Sequence, residues 1–86
     1  MTPVKPFWFA QRQGKTEEAG DNLYRLYGPI MREAFIGVRR AGNGKWLAFV
    51  RSEATAADLA ASEAGYDNEL DAWHAAFELY RGHFVI

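Results

Sequence analysis

Eighty-six residues leave room for one domain, and a chain of that size buries only about 60–65 % of its unfolded surface, so a single domain of modest stability is expected. The composition, 49 % hydrophobic, 24 % charged and 15 % aromatic, is that of a globular protein with many rings to bury, and excludes a disordered or fibrous chain. The absence of Cys excludes a disulfide framework and thiolate chemistry, and a net charge of -1 argues against a generic nucleic-acid binder.

No apolar run approaches the roughly 18 residues that cross a bilayer, and the opening MTPVKPFWFAQRQ lacks the apolar stretch of a signal peptide, so a cytoplasmic protein without membrane contact is expected. Residues 1–30 read as an N-terminal strand followed by a loop or short helix. Pro3 and Pro6 make an extended lead-in, and Phe7-Trp8-Phe9-Ala10 reads as a strand with Phe7 and Phe9 on one face and Trp8 on the other. Gln11 to Asp21 is polar and reads as a loop, with one helical turn after Thr16. Residues 21–27 fit either a helix or a strand: Leu23, Leu26 and Tyr27 have helical spacing, while Tyr is equally at home in a sheet. Gly28-Pro29 ends the segment in both cases.

Residues 31–66 read as an antiparallel sheet. Two runs of β-branched and aromatic residues flank Ala41-Gly42-Asn43-Gly44, and Asn-Gly between such runs is the strongest short-range hairpin signal. A strand from Met31 or Arg32 to Arg40 is therefore expected to pair with one from Lys45 to Ser52, and a third is expected over Leu59 to Ala64. Residues 68–82 read as a helix: Asp67 or Asn68 caps it, Glu69 and Asp71 suit its first turn, and Gly82 suits the position just past its end. Leu70, Trp73, Ala76, Phe77 and Tyr80 form its apolar stripe. Residues 83–86 are left as a short tail that suits a final strand. The fold class is thus α+β, a single domain over 1–86 in which a small antiparallel sheet of three to four strands packs on one C-terminal α-helix.

Charge is unevenly placed. Arg32, Arg39, Arg40, Lys45 and Arg51 stand against Glu33 alone, whereas Ser52 to Tyr80 holds seven acids and no Lys or Arg. This polarity points to the basic hairpin as the recognition surface and suits an acidic ligand or head-to-tail self-association.

The run Phe35-Ile36-Gly37-Val38-Arg39-Arg40-Ala41-Gly42-Asn43-Gly44-Lys45-Trp46-Leu47-Ala48-Phe49-Val50-Arg51 resembles the DNA-binding domain of the plant ethylene-response-factor family, of the form Y-R-G-V-R-x-R-x-W-G-K-[WF]-x-A-E-I-R. The segment Ala72 to Gly82 is similar to that family's helix. The resemblance covers roughly the last 50 residues. It implies three antiparallel strands and a packed helix, with the sheet face in the major groove and Arg39, Lys45 and Arg51 as matching contacts. The family's Arg, Arg, Trp and Glu are replaced here by Ile36, Ala41, Asn43 and Phe49, which removes charge-assisted phosphate contacts from that surface.

No catalytic motif is present: there is no nucleophile elbow or phosphate loop, and Gly42-Asn43-Gly44 is turn chemistry. Asp71, His74 and Glu78 share one side of the helix without a fourth ligand at recognisable spacing, so they read as a solvated face. His83, just past Gly82, and the rings of Trp46 and Trp73 read as structural. The reading is a small, non-enzymatic binding module without a cofactor or metal. It recognises a protein partner or another copy of itself through a sheet face formed by Arg39, Arg51, Lys45, Arg40, Ile36 and Phe49, because aromatics beside arginines are enriched at protein interfaces. The alternative is nucleic-acid binding through the basic hairpin.

Overall fold

The computed structural model describes residues 3–85. A five-stranded antiparallel sheet in the order β1-β2-β3-β4-β5 carries one long helix on one face, with β1 Lys15–Gly20, β2 Leu23–Gly28, β3 Met31–Arg40, β4 Trp46–Arg51, β5 Ala60–Ala61 and the helix α2 Glu69–Phe84. A five-residue helix, α1 Phe7–Gln11, precedes the sheet. This is an α+β fold.

The N-terminal third differs from the sequence expectation. Phe7-Trp8-Phe9-Ala10 is helical: the Pro6 carbonyl accepts from the amides of Phe9 and Ala10 at 3.1 and 3.0 Å. Phe9 is consequently fully buried while Phe7 is 80 % exposed, where a strand would put both on one face. Tertiary burial of one ring has overridden the strand preference of the run. The expected loop at Gln11 to Asp21 contains the edge strand β1, whose side chains are nearly all exposed, so it lacks the apolar alternation by which strands are recognised. Residues 21–27 resolve as a turn and β2: Asp21 and Asn22, the latter at φ 53°, close a two-residue hairpin.

The central hairpin pairs Phe35 with Arg51, Gly37 with Phe49 and Arg40 with Trp46. At its tip Gly44 sits at φ 80°, and the Asn43 side chain accepts from the Lys45 amide and donates to the Ala64 carbonyl at 3.1 Å. The expected strand over Leu59 to Ala64 is only two residues long. Ser62 interrupts it, because its hydroxyl, in place of a backbone carbonyl, accepts from the Ala48 amide at 2.9 Å. Pairing resumes at a single bridge between Trp46 and Tyr66.

Helix α2 is capped by Asn68, whose side chain accepts from the Asp71 amide at 2.8 Å. It runs through Gly82 to Phe84, because the Phe84 ring stacks on Tyr80 at 5.5 Å and holds the last turn in place. Gly82 is therefore a helical residue, and His83 and Phe84 form neither a tail nor a strand; Ile86 lies outside the described residues. The buried helix side chains are Ala72, Trp73, Ala76, Phe77 and Tyr80. Leu70, expected in that stripe, is 40 % exposed.

The core lies between α2 and the sheet face bearing Tyr24, Leu26, Ala34, Ile36, Val38, Ala48 and Val50, with Phe9 closing one end against Phe77 and Tyr80 at 5.2 and 6.1 Å. The Tyr80 hydroxyl donates to the Arg32 carbonyl, and burial pushes its pKa above the ordinary phenol value. Among the described residues no helix is long and apolar enough to cross a membrane.

Candidate binding face of the sheet

Because side chains alternate along a strand, the helix-covered face leaves its complement open. The pairing registers assemble that complement into cross-strand rows. One runs Glu17, Arg25, Phe35, Arg51 and the next Leu23, Gly37, Phe49, Ala61, with Arg39 opposite Leu47 beyond them. Arg39, Phe49 and Arg51 therefore share this outer face. Ile36 does not: it is fully buried beneath α2, in the opposite strand phase to Arg39, and the expected face of six residues is corrected at that position. Arg40 is also on the helix side of the sheet, where its guanidinium lies 5.4 Å from the Trp46 ring and donates to the Gly44 carbonyl. Lys45 is at the hairpin tip, paired with Asp67.

The outer face is organised around Phe49. Its ring, 5 % exposed, lies across Gly37, the position in the sheet that leaves room for it, and guanidinium groups flank it at 4.9 Å (Arg39) and 4.5 Å (Arg51). Both arginines converge on Asp58 in the β4–β5 connection: Arg39 donates to one carboxylate oxygen at 3.0 Å and Arg51 to the other at 2.8 Å. Arg51 also donates to the Ala54 carbonyl at 3.1 Å, and so ties down both ends of that connection. A second ionic group spans β1 to β3, where Arg25 meets Glu33 at 3.0 Å and Glu17 at 3.8 Å and lies over the Tyr27 ring at 4.2 Å. The Arg25 hydrogen bond holds the Glu33 carboxyl below its ordinary range, and the Arg25 pKa is raised by the same bond. The positive charge of Arg25, Arg39 and Arg51 on this face, and of Lys45 at the hairpin tip, is thus compensated within the chain. Asp58 and Glu17, which do much of this, were not among the expected site residues; nothing in their local sequence marks them as partners of Arg51, Arg39 and Arg25.

Burial disfavours the charged form of Asp58, but the hydrogen bonds from Arg51 and Arg39 outweigh it, and its carboxyl is held below the usual carboxylate range. A carboxyl whose pKa is depressed by folding stabilises the fold above its unfolded pKa, and that stabilisation is lost as pH falls through the folded value. Asp58→Asn should therefore lower stability at neutral pH by about 1–2 kcal/mol, the worth of charged hydrogen bonds reduced by their partial exposure. Urea denaturation of both proteins from neutral pH into the acid range checks this, with the difference closing as Asp58 becomes protonated.

Asp71, His74 and Glu78 are exposed on α2, and among the described residues no group of three or more His, Cys, Asp or Glu is placed to hold a metal ion. No family model matches the chain, and neither do curated proteins or solved structures.

Proposed function

We propose that this chain is a non-enzymatic protein-binding module that docks through its outer sheet face, and that the partner the face fits best is a second copy of itself. The observation that carries this reading is the cis-neutralised character of the face. Arg25, Arg39 and Arg51 each have carboxylate partners, so the surface is nearly charge-balanced, with half-buried Tyr27, Phe35 and Leu47 between the ion pairs. A patch carrying both signs beside aromatic rings is self-complementary across a two-fold axis. Nucleic acid would have to displace Asp58 and Glu33 before it could use the same arginines, which leaves the DNA reading with less support.

Association through the edges is disfavoured. The β1 edge carries Lys15, Glu17 and Glu18 with a bulge before Gly20, and the opposite edge strand is only two residues long. Five strands about 4.8 Å apart, of six, six, ten, six and two residues at about 3.3 Å per residue, give a footprint of roughly 500 Å² per copy. That is small for a stable interface and predicts a weak dimer with Kd on the order of 100 µM.

Sedimentation velocity from about 10 µM to about 1 mM tests the proposal in the range where such a dimer would form. The expected result is concentration-dependent dimerisation that Phe35→Glu abolishes while leaving thermal unfolding intact. A monomer throughout, or a dimer indifferent to Phe35→Glu, overturns the self-docking reading. Binding of mixed duplex DNA at low salt, weakened by Arg39→Ala, would favour the alternative instead.

A further inference from the structure

A cleft of about 300 Å³ opens at the end of the molecule where the β2–β3 turn meets the last turn of α2, lined by Arg12, Ile30, Met31, Arg32, Phe84 and Val85. A shallower hollow of about 270 Å³ adjoins it and shares Arg12 and Ile30. No residue of either belongs to the outer-face rows. The two arginines differ from those of the sheet face in having no carboxylate partner among the described residues. Arg12 spends one donor on the Trp8 carbonyl at 3.1 Å, and Arg32 lies over the Phe84 ring at 5.7 Å. A guanidinium has five N–H donors in a planar fork, so most of this donor capacity is unspent.

The walls are apolar and held in place. The hydrogen bond from the Tyr80 hydroxyl fixes the Arg32 backbone, Phe84 is stacked on Tyr80, and Ile30, 76 % exposed, stands at the rim after Pro29. Among the described residues the lining holds two guanidinium groups and no acid, which argues against a cation as occupant, and the apolar remainder makes a bare inorganic anion a poor fit.

We propose that this cleft binds a carboxylate carried on a short apolar body, with Arg12 and Arg32 taking the oxyanion and Ile30, Met31 and Phe84 the apolar part. The cleft is at the lower limit of ligand-site volumes, which suits a small aliphatic or aromatic acid or the last residue of a peptide. Both sources present the same chemistry.

Hexanoate, titrated into the full chain and followed by backbone amide shifts, is the probe. The expected result is saturable binding with Kd on the order of 1 mM, centred on residues 30–32 and 84–85, and at least about tenfold weaker binding of hexanol. Arg32→Gln should weaken hexanoate by about tenfold, the loss of one charge-assisted contact at a partly exposed site. Ile30→Asp, at an exposed position that folding does not need, should abolish it. Acetyl-Gly-Ile with a free carboxylate, compared with its amide, separates the sources: tighter binding than hexanoate assigns the site to a peptide terminus, and weaker binding to a small acid. Equal affinity for hexanol and hexanoate, shifts centred on residues 41–44, or unchanged binding by Arg32→Gln in a folded protein would each overturn the proposal.

Discussion

Phe9→Ala is expected to destabilise the domain by about 3–5 kcal/mol, a large part of the roughly 4–13 kcal/mol that a domain of this size has available. Phe9 is fully buried, edge-on to Phe77 at 5.2 Å and Tyr80 at 6.1 Å, and its ring fills the space beside Gly14, where an added Cβ would fall 2.5–2.7 Å from three ring atoms. It is the main attachment of the N-terminal helix to the core, so its removal leaves a cavity and frees α1 as well. The melting temperature should fall by roughly 15–30 °C. Phe7→Ala, two residues away at a side chain 80 % exposed, should stay within about 0.5 kcal/mol of wild type. A strand would place both rings on one face and make the two losses alike, so the pair of variants tests the helical assignment as well as the core.

Gly37→Ala is the second large expectation. A Cβ at this strand position would collide with the Phe49 ring and stand 2.6 Å from the Asn22 carbonyl oxygen. The ring can swing away, but that carbonyl is backbone, held by the Val38 amide at 3.2 Å as part of the β1–β2 turn packing against β3. Relief therefore requires the sheet to shift, at about 2–3 kcal/mol, the upper part of the usual cost of overpacking. Thermal unfolding should show a fall of roughly 10–20 °C. Because displacing Phe49 also disturbs the packing of Arg39 and Arg51, the effects of Gly37→Ala and Asp58→Asn should be non-additive in a double-mutant cycle.

The features legible in the sequence are those with a local cause. The Asn43-Gly44 turn between apolar runs specified the central hairpin, and the Asn68 cap and the stripe through Trp73, Phe77 and Tyr80 specified α2. The features that were not legible depend on contacts distant in sequence. β1 is polar on both faces and becomes a strand because β2 offers it hydrogen bonds; Phe7–Gln11 is helical because Phe9 finds a cavity formed by Gly14, Phe77 and Tyr80. The helix passes through Gly82 because Phe84 stacks on Tyr80. Residue type alone could not give the composition of the outer face. Arg39 and Arg51 stand out as basic residues beside rings, but which face Ile36 takes is set by strand phase, and that Asp58 neutralises both arginines is set by a connection seven residues from Arg51 in sequence.

The outer face as docking surface is tested most directly by side-chain NMR of a concentrated sample and its dilution series. Strand alternation predicts that the ring and methyl signals of half-buried Phe35 and Leu47 move with concentration and show intermolecular contacts, while those of Ile36, Val38 and Val50 on the same two strands stay fixed. Signals that are unchanged on the outer face, or that move equally on both faces of β3 and β4, would contradict it.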